Sequence, residues 1–314
     1  MPIPFKGAGN MEELDRSLFK EENVRNGAGR LFGSYEYRYG PGEHVVDAHW
    51  HNEMEWFYVA EGEVRFQVGV DTLVLQAGEA AFVDAGELHA GHASGSHGCS
   101  FYALVFDPAL LSGAVYDAVE EKLIQPLRDR SATFPRRAMP DAGLGSSLLK
   151  ELAAIRRACR EQKPGYEAEV KGRLLMMLAV LHAGGEAADR RIHHEAARSP
   201  EGDALKVERL KRVIEHIRVH CGQPIRIAEL AALIPLSEGQ FIRFFRGMTG
   251  QTPIGYIKAY RIRQAALLLR ETDRRIADIA LETGFDNVSY FIRSFQAVMK
   301  SSPSDFRRRR DPER

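Results

Sequence analysis

The apolar positions divide the chain into two regimes. Over the first 110 residues or so they come in short runs, Glu55–Ala60, Val64–Val70 and Ala80–Asp84. Gly-containing turns separate them: Glu61-Gly62-Glu63, Ala77-Gly78-Glu79 and Ala85-Gly86-Glu87. Strands at this spacing predict a sandwich or barrel. From about Ala109 the period changes, and the segments 144–162 and 166–183 carry Leu, Ala, Met and Ile at helical spacing. The run from Leu174 to Leu181 is apolar almost all round and too short to cross a bilayer, which predicts burial between helices or subunits. Residues 184–202 are polar and aperiodic and read as a linker.

The C-terminal region contains an internal repeat. Phe241-Ile242-Arg243-Phe244-Phe245 recurs as Phe291-Ile292-Arg293-Ser294-Phe295, 50 residues later, and Pro253 and Tyr256 recur at the same offset as Pro303 and Phe306. Upstream, Ile227-Ala228-Glu229-Leu230-Ala231 recurs as Ile276-Ala277-Asp278-Ile279-Ala280, 49 residues later. Each copy reads as a short helix, a tight turn and a second helix, with Ser237 and Asn287 as N-caps of the second helices. Phe241, Phe244, Phe245 and Met248 share one face of the first copy; Gly239, Ile242, Arg243 and Arg246 share the other. In the second copy Phe291, Phe295 and Val298 oppose Ser289, Ile292, Arg293 and Gln296. An isoleucine beside an arginine on an outward face suits the DNA major groove, where arginine pairs with guanine and an apolar group touches the thymine methyl. The bland alternative for that face is a solvated surface.

The stretch 276–307 resembles the signature of the AraC/XylS family of transcription regulators: Ile-Ala, Gly-Phe, Ser-Tyr-Phe, Arg-x-Phe and Pro. The first copy, with Thr249-Gly250-Gln251-Thr252-Pro253, matches the same pattern. The resemblance implies two helix-turn-helix subdomains joined by a connecting helix at about Pro253–Glu271. It places base contacts at Gly239, Ile242, Arg243 and Arg246, and at Val288, Ser289, Ile292 and Arg293. Two positions depart from the pattern: Lys300, where the family has Gly ending the helix, and Pro235 in the first turn.

A second constellation lies in the strand-rich part: His49-Trp50-His51-Asn52-Glu53-Met54-Glu55, followed by Gly62, Gly78, Asp84, Gly86 and His89. On a strand His49 and His51 point to one face. Three imidazoles and a carboxylate, from His49, His51, His89 and Glu55, suit a divalent transition metal such as Zn, Mn, Fe or Ni; the other reading is a set that hydrogen-bonds a polar organic effector. The spacing resembles the two motifs of the cupin superfamily of small β-barrels over residues 40–93, with Asp84 in place of the usual Pro and Ala93 in place of Asn. His92 and His97 read as loop residues, and His193 and His194 as solvated linker positions.

Charge sharpens the division. From Asp203 to Arg314 there are 21 Lys and Arg against 13 Asp and Glu, a balance of +8, and the rest of the chain carries −8. A basic half implies a polyanionic partner. Cys99, Cys159 and Cys221 form no CxxC and point to a reducing compartment, and no signal-peptide layout or membrane-length apolar run occurs. The expectation is a multidomain, cytoplasmic, non-enzymatic protein. It has an all-β cupin-like sensing barrel (1–110), an all-α dimerisation region with linker (111–202) and a double helix-turn-helix DNA-binding domain (203–314). Its partners are promoter DNA, a small-molecule effector, a second copy of the chain and RNA polymerase. Two rivals remain: a metal-dependent cupin dioxygenase or isomerase with an accessory DNA-binding tail, and a constitutive DNA-binding protein with a purely structural barrel.

Overall fold

The computed structural model describes residues 31–41, 44–141, 143–183 and 201–308. The chain forms two compact units, Met1–Ala204 and Leu205–Arg314. In the first, strands β1 (Phe32–Tyr39), β2 (His44–His49), β3 (Met54–Val68), β4 (Asp71–Gln76), β5 (Ala80–Val83), β6 (His89–Phe106) and β7 (Arg137–Ala138) form one antiparallel sheet. The long strands β3 and β6 pair with each other and carry the rest: β1 and β2 pair with β6, β4 and β5 with β3, and β7 with β5.

The expected turn at Glu61-Gly62-Glu63 is not a reversal. β3 runs through it, and its register against β6 shifts twice there, by one extra residue, a bulge, on β3 between Val59 and Glu61 and by residues 95–98 of β6 between Gly62 and Glu63. Gly62 has φ of 78°, and a Cβ there would lie 2.1 Å from the Gly98 carbonyl oxygen, so only glycine fits. The bulge bends the strand where a hairpin turn had been expected. His92 lies on β6, in register with Arg65, rather than in a loop, while His97 falls in the stretch 95–98 that the pairing with β3 skips.

Alternation assigns the two faces of the sheet. Tyr35, Phe57, Val59, Phe66, Ala93, Phe101 and Val105 belong to an inward cluster, and Met54, Trp56, Phe82, Tyr102, Leu104 and Phe106 to an outer one. Helices α1 (Leu144–Glu161) and α2 (Tyr166–Ala183) cover that outer face with Leu148, Leu152, Ile155, Val170, Leu174, Met177 and Leu178. Burial of each such side chain contributes about 1.5–3 kcal/mol. The apolar run on α2 is therefore largely satisfied within one chain, and Met176, 54% exposed, is its outward member. Between β6 and α1 the chain has a helical stretch at Glu120–Arg128 and then a strap that reaches β5 through β7.

The second unit is helical: α3 (Glu201–Val219), α4 (Ile227–Ala232), α5 (Glu238–Thr249), α6 (Pro253–Glu271), α7 (Ile276–Glu282), α8 (Val288–Met299) and α9 (Pro303–Arg308). Helix α3 already begins at Glu201, within the expected linker; residues 184–200, with His193 and His194, lie outside the described residues. The repeat is visible in the elements: α4, a turn and α5 recur as α7, a turn and α8, and the extra residue of the second copy lengthens α7 to seven residues against six.

Candidate functional site

The two second helices begin as capping chemistry dictates. The Ser237 hydroxyl accepts the Gln240 N–H, while the Gln240 side chain accepts the Ser237 N–H, and the Asn287 side chain accepts the Tyr290 N–H at 2.8 Å. Phe241, Phe245 and Met248 bury one face of α5, and Phe291, Phe295 and Met299 the same face of α8. The opposite faces stay in solvent. Gly239, Arg243 and Arg246 are exposed on α5, and Ser289 and Arg293 on α8, with Val288 half-buried. Ile242 and Ile292 are each 38% exposed, so the repeat preserves an outward isoleucine beside an outward arginine. Arg226 and Arg275 were missed by the sequence reading. They stand exposed at the N-caps of α4 and α7, 49 residues apart, one position upstream of the repeated block that would have revealed them.

Helix α6 holds the two copies together. The Arg261 guanidinium donates to the carbonyls of Cys221 (2.8 Å), Gln223 (2.6 Å) and Gly284 (2.7 Å). It thus ties the chain after α3 to the turn before α8. Its burial pulls its pKa down, but the carbonyl set still selects the cation.

In the first unit His49, His51 and His89 meet, and their ligating atoms all lie within 4.8 Å of one another. His49 ends β2 and is paired with His89 at the start of β6, so their rings are 4.1 Å apart. Glu55 sits on the inward face of β3 with Phe57 and Val59, fully buried, and its Oε2 lies 3.1 Å from His51 Nε2 and 3.5 Å from His89 Nε2. All four residues thus converge. Each imidazole is oriented from behind: Nδ1 of His49, His51 and His89 donates to the carbonyls of Asp47 (2.8 Å), Glu53 (3.0 Å) and Glu87 (3.0 Å). That commitment leaves Nε2 of a neutral ring as an acceptor, the arrangement that carbonyls hydrogen-bonded to Nδ1 impose on metal-bound histidines. For His51 and Glu55 the consequence is two acceptors face to face at 3.1 Å, a contact that needs positive charge between them, either a proton or a metal ion. The donor set and its spread fit an ion with bonds of about 2.0–2.2 Å.

The loop behind His89 is braced. Gly86 N–H donates to the His51 carbonyl at 2.6 Å, and Glu87 forms a two-pronged pair with Arg136 of the strap at 2.5 and 2.7 Å. Arg130 donates to the Ala85 carbonyl at 2.6 Å. Asp84, at the departure from the cupin pattern, has its pKa raised by burial, with Glu87 adding to the rise. The Glu87–Arg136 brace was not visible in the sequence, because the two residues are 49 positions apart with no periodicity to link them.

Comparison with known proteins matches both units. Residues 230–309 match the family model of a helix-turn-helix domain, and residues 35–105 that of a cupin domain. The regulatory protein SoxS of Salmonella typhimurium is 37% identical over 100 residues, which cover 32% of this chain and 94% of SoxS. The chain belongs to the AraC/XylS family of transcription regulators. This AraC/XylS-family regulator is also similar to an HTH-type transcriptional regulator of Bacillus subtilis, YdeC, at 23% identity over 84% of this chain and 86% of that one. Other curated relatives match over about a third of their length. A crystal structure of ToxT from Vibrio cholerae O395 is similar at 12% identity and a TM-score of 0.41, covering 88% of this chain and 97% of ToxT; that likeness is too loose to carry an argument. The regulator is a sequence-specific DNA-binding protein with a cupin barrel in its N-terminal unit.

Proposed function

We propose that α5 and α8 are the recognition helices, with Gly239, Ile242, Arg243, Arg246, Val288, Ser289, Ile292 and Arg293 against base edges, and that the barrel senses an effector at His49, His51, Glu55 and His89. The observation that carries the DNA side is the duplicated exposed Ile-Arg pair, set on helices whose other faces are buried aromatics. Arg226 and Arg275 suit phosphate contacts that position the module without reading sequence. In the barrel the convergence of three imidazoles and one carboxylate supports a divalent transition metal as the bound species.

The protein works in the cytoplasm as a regulator rather than an enzyme, pairs with a second copy through residues 111–202 and acts on transcription with RNA polymerase. The metal set keeps a cupin enzyme as the rival reading. The test is binding of the full chain to a pool of random duplex DNA. A regulator enriches a defined sequence, and its affinity falls steeply with salt as phosphate contacts release counterions. Enrichment of no sequence, with turnover of an organic substrate by the metal-loaded protein, supports the enzyme instead. Co-purification as a monomer at all concentrations removes the pairing.

A further inference from the structure

The interior of the barrel bears on what the effector is. The inward rings stack in a column: Tyr39 on Phe101 at 5.9 Å, Phe101 on Phe57 at 4.5 Å, Phe57 on Phe66 at 4.3 Å, and Phe66 beside His89 at 6.1 Å. Ring centroids at these spacings are in contact, so the column packs the interior between Tyr39 and His89. An organic ligand needs several convergent polar groups to orient it. Among the described residues of this unit, the buried imidazole and carboxylate side chains are His49, Glu55, Glu79, His89 and Glu120. Arg137 holds Glu79, and Arg128 holds Glu120. The inward set that can carry charge is then the imidazoles and Glu55, with Tyr35, Tyr37 and Cys99 as neutral polar neighbours in the same cluster.

We infer that the effector is the divalent transition-metal ion itself, not an organic molecule that the metal helps to bind. This rests on the reading of the His/Glu set as a metal centre. An ion needs no cavity beyond its ligands, whereas a cavity of about 400 Å³ in this unit is lined by Arg38, Tyr39, Glu61 and Cys99 among others and by none of the imidazoles or Glu55. The imidazoles are already turned toward one another by their carbonyl partners, so binding requires little rearrangement. The elements that carry them can transmit it. His51 and His89 are the two rings in contact with Glu55, and the loops bearing them are joined at Gly86. Glu87 orients His89 with its carbonyl and grips Arg136 with its carboxylate. A shift of His89 toward the ion is therefore felt at the strap that leads to α1.

The experiment uses the full chain stripped with EDTA. Duplexes are enriched from random sequence by the metal-free chain and, separately, in the presence of Zn²⁺, Ni²⁺, Co²⁺ or Fe²⁺. Binding of the ion is read independently of DNA, by the visible spectrum of the Co²⁺ form and by thermal melting. One of these ions is expected to bind, raise the melting temperature and change DNA affinity by about 5- to 150-fold, the range of ordinary coupling between sites. His51→Ala should abolish both binding and response. Glu55→Gln, which keeps the shape of the side chain, should do the same if the alanine variant fails to fold. An ion that binds and melts as expected but leaves DNA affinity unchanged overturns the inference while the metal centre stands. A folded chain that binds none of the four ions overturns the metal centre and the inference with it. An organic molecule that alters DNA affinity in the metal-free chain overturns the inference alone.

Discussion

At the scale of single residues, two of the departures from family pattern, Lys300 and Asp84, are costly in backbone or in charge. Lys300 ends α8 with φ of 53°, in the left-handed region, where the first copy has Gly250 with φ of 74°. A side chain there crowds the backbone, and glycine relieves about 1 kcal/mol. Lys300→Gly should raise the melting temperature of the second unit by several degrees, whereas Lys300→Ala should not, as calorimetry of the two variants will show. Asp84 is costly for a different reason. Its folded pKa is raised, chiefly by burial, so the charged form destabilises the fold above that pKa and the penalty vanishes below the unfolded value near ~3.9. Asp84→Asn should therefore stabilise the barrel at pH 7 and lose that advantage at pH 3, in denaturant titrations at the two pH values.

The elements were legible where a period repeats over a long enough stretch. Two helices expected at 144–162 and 166–183 are α1 and α2, and the caps Ser237 and Asn287 open α5 and α8. The turn expected at Gly62 failed because glycine marks a bulge as readily as a reversal, and only the partner strand decides between them. Strand parity did not join His49 and His51: β2 ends at His49, and His51 reaches the cluster from the turn before β3. His49, His51, Glu55 and His89 were readable from their family-like spacing. Their carbonyl partners and the Arg136 brace were not, since contacts made by backbone atoms or across 49 positions leave no local pattern. Arg261 is the clearest case among the helices: nothing around it in α6 shows that it serves three carbonyls elsewhere. Removing it leaves those acceptors poorly satisfied, at a cost of about 2–4 kcal/mol. Arg261→Ala should melt early and bind DNA weakly. Arg261→Lys should not recover, because an ammonium cannot reach three acceptors in one plane.

For the whole molecule, composition concealed more than it revealed. The net charge is zero, yet the acidic and basic halves correspond to chemically distinct units, one with a buried His/Glu set and one with exposed arginines on two repeated helices. The account depends most on those arginines reading bases. If α5 and α8 enter successive major grooves on one face of DNA, their contacts lie about 10 base pairs apart. The decisive measurement is a base-substitution profile across the operator for the wild-type chain, Arg243→Ala and Arg293→Ala. The account predicts that each variant loses preference in one block only, by about 1–3 kcal/mol, with the other block intact and the blocks roughly 10 base pairs apart. Uniform weakening on every sequence by both variants, with all base preferences retained, would contradict it and leave the arginines as phosphate contacts.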